Sequence, residues 1–415
     1  MQQIKLKSPA GLVLFLTWLF FSMYYMNRFN YSPMIPLIKA DLAISNTQAG
    51  WLMALFFLTY TIFQLPSGYL GDRIGPRKML TGGALVSITG NLIFSQATTF
   101  GAFSVGQLIN GLGQSMGWTS ALKLIVNWFP RSRRATAIGL FATCVTSGSS
   151  LGIWISGLLG DQMGWRSSFV VPPVIMAVVS LIFWTQVRDR PEERGLPAFN
   201  DEVELEKQIE GDARSGLMVV LTNRILWTVA LVYFCFCYVQ FGCLVWIPSF
   251  LKEGYAMSVE RASTISAIIL LPGTLASPIA GFLSDHYFNG RRKPLILLGM
   301  IVLSASNLVL FLGVNLILAS CVLCVVGLMI IMPDILLAAY PSDILSRKLS
   351  ATAMGFLTTF TSIAGIVTTP LSGKIVDLYD SYYAVFFSFA AVAFAGGLLT
   401  LCIREKNIFS GRENS

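Results

Sequence analysis

One motif in this chain occurs twice, and it constrains the fold more than any other feature. GYLGDRIGPRK, from Gly68 to Lys78, returns as GFLSDHYFNGRRK, from Gly281 to Lys293, 213 residues later. Two further pairs keep nearly the same offset: RRATAIG (Arg133 to Gly139) with LSATAMG (Leu349 to Gly355), and SGLLGD (Ser156 to Asp161) with SGKIVD (Ser372 to Asp377). A chance turn motif does not preserve both order and spacing, so the chain must build one substructure twice.

The medium in which it builds them follows from composition. Of 415 residues, 54% are hydrophobic and 12% charged, and the mean hydropathy is +0.68. Such a chain is too apolar for a water-soluble globule, so the lipid bilayer is its partner and solvent. Twelve apolar runs are long enough to cross a hydrocarbon core of roughly 30 Å. They cover 11–36, 48–70, 78–98, 101–128, 135–160 and 167–187, then 225–251, 259–284, 294–312, 315–344, 351–376 and 382–404. Residues 188–223, with RDRPEER and the acidic DEVELEKQIEGD, form the longest polar stretch and read as a cytoplasmic linker. The expectation is an all-α membrane protein of twelve transmembrane helices in two pseudo-symmetric six-helix bundles, 1–187 and 224–415.

Lys and Arg set the orientation, because positive charge is retained in the cytoplasm during insertion. With both termini cytoplasmic, 22 of the 29 basic residues fall on that side. Lys39, Arg166, Lys252, Arg261 and Lys374 fall outside, and Arg28 and Lys123 fall within helices. The net charge of +8 is therefore topological, and it is no nucleic-acid footprint. The first apolar run lacks a small-residue cleavage site and reads as an uncleaved helix. Seven cysteines lie in the spans, and Cys321 with Cys324 has no further ligands nearby, so neither a metal nor another cofactor is expected.

GYLGDRIGPRK resembles the loop between helices 2 and 3 of the major facilitator superfamily. The second-half copy, NWFPRSRRATAIG and GDQMGWRSSF extend the resemblance over essentially the whole chain. It implies the major facilitator fold: two six-helix bundles around a cavity, lined by helices 1, 4, 7 and 10, that opens alternately to each side. The motif also has a direct physical reading. Asp72 can pair with basic residues, Gly68 and Gly75 permit close approach and a tight turn, and Arg73, Arg77 and Lys78 hold the loop in the cytoplasm. Asp285 is the second-half counterpart of Asp72.

An ionisable group near mid-bilayer costs at least ~2.5 kcal/mol on insertion scales and persists where it faces a wet cavity or a partner. Arg28, Lys123 and Asp334 are such groups, and Gln240 is the polar residue at the point of helix 7 comparable to Arg28. All four fall on the helices that line the cavity in the family resembled. Arg28 offers a fixed fork of donors and so predicts an anionic group on the substrate. Tyr24, one turn earlier, can add a hydroxyl to that face, and Tyr60 and Gln64 make an i, i+4 polar pair on helix 2.

YYMNRFN, LTYTIFQ and NGLGQSMGW are most similar to the organophosphate:phosphate antiporters, and secondarily to the organic anion:cation symporters. In the antiporters, arginines on helices 1 and 7, a lysine on helix 2 and a histidine on helix 5 hold the phosphate. Arg28 matches the first and Tyr60 a helix 2 tyrosine, whereas Gln240, Gln64 and Val145 stand where the other three should be. One Arg among amides and phenols suits a monoanion or zwitterion better than a dianion. The expected substrate is a small carboxylate-bearing metabolite, such as a sugar acid, monocarboxylate or amino acid, with organophosphate exchange as the alternative.

The expected mode is proton-coupled symport by a monomer in the bacterial inner membrane. Asp334 is the acid available inside a span, since His286, the single histidine, lies in a cytoplasmic loop. Asp334 can carry the proton, or it can pair with Lys123 to close an inner gate; the sequence allows both. A sugar-phosphate sensor of the same fold is a further alternative, with no appended domain to support it. No nucleophile elbow or paired catalytic carboxylates point to an enzyme.

Overall fold

The computed structural model of the protein describes residues 8–197, 213–288, 291–341 and 347–403, and every regular element among them is helical. The first half contains α1 (Pro9–Phe29), α2 (Ile35–Leu42), α3 (Asn46–Ile74), α4 (Pro76–Gln96), α5 (Phe100–Ser115), α6 (Trp118–Trp128), α7 (Arg131–Met163) and α8 (Val171–Gln186). The second contains α9 (Ala213–Thr222), α10 (Arg224–Gly254), α11 (Val259–Leu270), α12 (Gly273–Tyr287), α13 (Lys293–Phe311), α14 (Leu316–Met329), α15 (Met332–Ala339), α16 (Arg347–Tyr379) and α17 (Tyr383–Leu401).

Four of the twelve expected crossings are not single helices. The first stops at Phe29 and continues through a 3₁₀ turn, Ser32–Met34, into α2. The run 101–128 divides at Met116 and Gly117 into α5 and α6, 259–284 at Leu271 and Pro272 into α11 and α12, and 315–344 at Ile330 and Ile331 into α14 and α15. Gly or Pro stands at or just beyond each break, where a missing Cβ or N–H loosens the helical ladder: Pro33, Gly117, Pro272 and Pro333. Hydropathy is blind to such breaks, because it sums side chains and ignores the backbone. Nine helical stretches among the described residues are long and apolar enough to cross a membrane. The other three expected crossings are α4, rich in Gly, Ser, Thr and Asn, and the short pieces α5 with α6 and α11 with α12.

The helices form two compact units. One is drawn from Met1–Ile44, Trp51–Glu210 and Met257–Ala267, the other from Ser45–Gly50, Gly211–Ala256 and Ile268–Ser415. Within the first, α1 packs on α7 and α8, and α4 on α5 and α8. The second repeats the scheme, with α10 on α16 and α17, and α13 on α14 and α17. The first unit's core holds Phe20, Tyr24, Trp128, Phe141 and Phe183, and α1 meets α7 closely: a Cβ on Gly148 would lie 2.4 Å from the Ser22 carbonyl oxygen. Gly148 of α7 thus serves packing there.

Side-chain caps begin several helices. Ser8 accepts from Gly11 N–H at 3.1 Å, and Asn223 and Asn315 do the same for α10 and α14. The first turn of α3, whose residues 46–50 belong to the second unit, is capped by Asp377, the last residue of the SGKIVD repeat. Its carboxylate accepts from the backbone N–H groups of Asn46 and Thr47 at 2.9 and 2.8 Å and from both their side chains.

Candidate functional site

In the first unit, Arg28 lies in the last turn of α1, just before the chain leaves the helix, so its positive charge faces the negative end of the helix dipole. The side chain is only 6% exposed. Its Nε donates to Gln114 Oε1 at 2.9 Å. Gln114 Nε2 donates to Asn110 Oδ1 at 3.2 Å, one turn back on α5, and Asn110 Nδ2 donates to the Asn27 carbonyl at 3.2 Å. Ser87 on α4 adds a 2.6 Å bond to Asn110 Oδ1. Three rings surround the guanidinium, with Cζ 4.6 Å from the centroid of Tyr25, 4.8 Å from Tyr60 and 5.1 Å from Phe56.

Helical spacing brings these rings together. Tyr25 is three residues before Arg28 on α1, and Phe56 and Tyr60 are four apart on α3, their rings 6.1 Å apart and nearly parallel. Gly111 lets α3 approach α5, since a Cβ there would meet the Phe56 carbonyl oxygen at 2.3 Å.

Among the described residues Arg28 has no carboxylate partner. A buried cation without a counter-charge is costly, and aromatic faces return only about 0.5–2 kcal/mol.

One expected neighbour sits elsewhere. The Tyr24 hydroxyl donates to the Leu80 carbonyl at 2.5 Å, and its ring packs on Phe20 and Phe21, so Tyr24 belongs to the core while Tyr25 faces Arg28. Gln64 is half-buried one turn beyond Tyr60. Sequence reasoning missed Gln114, Asn110, Tyr25 and Phe56. Gln114 and Asn110 lie in the NGLGQSMGW segment, and their i, i+4 spacing was the available signal.

In the second unit, Tyr233 and Gln240 lie seven residues apart on α10, on one face. The Tyr233 hydroxyl donates to Asp334 Oδ1 at 2.6 Å, and Gln240 Nε2 donates at 2.6 Å to the carbonyl of Ile330, in the break between α14 and α15. Asp334 is half-buried in the first turn of α15. A phenol, a carboxyl and an amide thus gather at the α14–α15 break, where the backbone ladder is lost, as Arg28 and Gln114 gather near the α5–α6 break. Discontinuous helices in corresponding positions of two repeats are where transporters of repeated architecture place their sites.

Lys123, which the sequence allows as a gate residue, bonds to Asp72 Oδ1 at 2.7 Å. The ion pair joins α6 to the end of α3 within the first unit, and each of the two groups weighed as gate partners has a partner in its own unit. The rest of the motif is also placed. Arg73 stacks on Tyr69 at 4.6 Å and bonds its hydroxyl. Gly75 has φ of +91° and makes the turn, and a Cβ there would also meet Asp189 Oδ2 at 2.5 Å. Arg77 lies 4.0 Å over Trp184, and its N–H donates to Asp189 Oδ1 at 2.7 Å. Arg188 and Asp189, which open the polar stretch, also accept from Trp128 and Asn127. At Gly68 a Cβ would have only an ordinary contact, 4.0 Å from Thr119 Oγ1, so close approach does not require glycine there. Asp285 lies on α12 with its side chain outside those described.

Bundles of broken apolar helices around buried polar clusters define a membrane transporter-type protein. The Major Facilitator Superfamily model matches residues 17–369 and, again, 250–413, and the chain belongs to that family. It is an integral membrane protein, and the proteins it resembles are transporters and a sensor, not enzymes. The membrane sensor protein UhpC of Escherichia coli (strain K12) is 25% identical over 94% of this chain and 90% of its own length. A probable hexose phosphate transport protein of Chlamydia trachomatis is 26% identical over 83% of this chain and 79% of its own length. The hexuronate transporter of Bacillus subtilis (strain 168) is 26% identical over 94% and 92%. Among solved structures, a bacterial homologue of the human lysosomal transporter Spinster, inward-facing and occupied, aligns with a TM-score of 0.82 over 97% of each chain. At 15% identity that likeness speaks for the fold alone.

Proposed function

We propose that this protein is a secondary active transporter that moves a small carboxylate-bearing monoanion of the sugar-acid class across the bacterial inner membrane by alternating access. It works as a monomer with both termini in the cytoplasm. The observation that carries the reading is Arg28: one buried guanidinium, held by a neutral amide and three rings, with a single positive charge to offer. A carboxylate matches one fork of donors in charge and geometry, whereas a phosphoryl dianion leaves a charge and an oxygen over. The hexuronate transporter among its relatives carries a substrate of that class. The Asp334–Tyr233 pair supplies a carboxyl for proton symport, the phenol holding its orientation.

A second reading, organophosphate exchange, draws on the hexose phosphate relative of similar identity, and the UhpC likeness keeps a sensing role beside it. Uptake into liposomes separates the three. The proposal expects D-glucuronate to accumulate when the outside is acidified. Exchange of glucose 6-phosphate for phosphate without glucuronate uptake favours the second reading, and ligand binding with no flux favours the sensor.

A further inference from the structure

Among the described residues Gln114 is the group that hydrogen-bonds the guanidinium of Arg28, and its chemistry is specific. A guanidinium has two bidentate edges, one through Nε and a terminal nitrogen, the other through both terminal nitrogens. Gln114 Oε1 occupies Nε, so the edge left for a ligand is the terminal one. Gln114 cannot turn its amide over, because its Nε2 is committed to Asn110 Oδ1 and Asn110 is held by Ser87 and the Asn27 carbonyl. Ser87, Asn110 and Gln114 are at most 4% exposed, so water does not compete for these bonds. An amide here also spends none of the arginine's charge. A carboxylate in its place would neutralise Arg28 and compete with the ligand for it.

We infer that Gln114, locked by Asn110, is the positioning residue of the anion site: it fixes which edge of Arg28 meets the substrate and, being neutral, leaves the full positive charge for it. This rests on the reading of Arg28 as the anion site. Among the described residues the titratable groups facing Arg28 are the phenols of Tyr25 on α1 and Tyr60 on α3, and α5 presents only amides, so no carboxyl among them competes for the guanidinium.

The test is equilibrium binding of D-glucuronate to the purified full-length protein, wild type and Gln114→Glu, between about pH 4 and about pH 8. A protonated glutamic acid reproduces the glutamine, its carbonyl accepting from Arg28 and its hydroxyl donating to Asn110, whereas the ionised form ties up Arg28. Gln114→Glu is therefore expected to bind weakly at high pH and to recover towards wild-type affinity on acidification, by up to about tenfold per pH unit as one proton is taken up per anion. Any pH dependence contributed by the coupling carboxyl Asp334 is common to both proteins, so the ratio of Gln114→Glu to wild-type affinity reads the effect at Arg28 alone. Gln114→Ala, which fills no role in the chain, should be weak at every pH. A Gln114→Glu affinity that follows the wild type at all pH values overturns the inference while leaving the Arg28 reading intact. Unchanged binding in Arg28→Ala overturns that reading and the inference with it.

Discussion

Replacing Gly111 by alanine tests whether the anion site depends on the spacing of two helices. The added Cβ would sit 2.2 Å from Thr59 Oγ1 and 2.3 Å from the Phe56 carbonyl oxygen. The threonine can rotate away. The carbonyl cannot, because it belongs to the backbone of α3. Real Cβ atoms essentially never lie closer than 3.0 Å to another heavy atom, so α3 must retreat from α5 by at least about 0.7 Å. Overpacking of this kind costs about 1–3 kcal/mol. Phe56 and Tyr60 travel with α3 and Gln114 with α5, so Arg28 cannot keep both its 2.9 Å bond and its ring contacts at 4.8 and 5.1 Å. Loss of the aromatic contacts, about 0.5–2 kcal/mol, translates into roughly twofold to thirtyfold weaker anion binding. Thermal unfolding and equilibrium binding of D-glucuronate in detergent measure both effects. Gly139→Ala on α7 is the control: no atom lies within 4 Å of its added Cβ, and it should be neutral or stabilising by up to about 1 kcal/mol. Wild-type stability and affinity in Gly111→Ala would refute the reasoning.

Gly75→Ala meets both a φ of +91° and Asp189 Oδ2, and should lower stability by about 1–3 kcal/mol in thermal unfolding; an unchanged melting temperature would deny the Asp189 contact. The Lys123–Asp72 side chains are 34% and 69% exposed, so Asp72→Asn should cost no more than about 1 kcal/mol of stability, and collapse of the fold would show the pair to be structural. Its expected effect is on transport rate, read in liposomes. Asp334→Asn should retain substrate exchange and lose uptake driven by a pH gradient, and driven uptake at the wild-type rate would remove Asp334 from coupling.

Arg28 was legible because a charge in an apolar run is expensive and conspicuous. Its supporting residues were not. Asn110 and Gln114 are uncharged and sit among glycines, so neither is conspicuous in an apolar run as Arg28 is. Their role depends on how closely α1 comes to α5, which no local pattern reports. Tyr24 and Tyr25 both lie within one turn of Arg28, and the choice between them is made by what α1 packs against: Phe20, Phe21 and the Leu80 carbonyl claim Tyr24. Tyr233 was hidden for the same reason, as a phenol two turns before Gln240 whose partner lies about a hundred residues away. The broken helices were signalled by Gly117, Pro272 and Pro333, but apolar length alone spoke for continuous ones. The SGKIVD repeat was visible as a repeat, while the capping of α3 by Asp377 required the fold.

The central claim is that Arg28 holds the substrate's anionic group. Equilibrium binding of D-glucuronate to wild type and Arg28→Ala, with thermal unfolding confirming that both are folded, tests it most directly. Removing a charge-assisted, desolvated pair should weaken binding by about 2–3 kcal/mol, roughly thirtyfold to a hundredfold or more. An Arg28→Ala protein that binds glucuronate as tightly as the wild type would contradict the account.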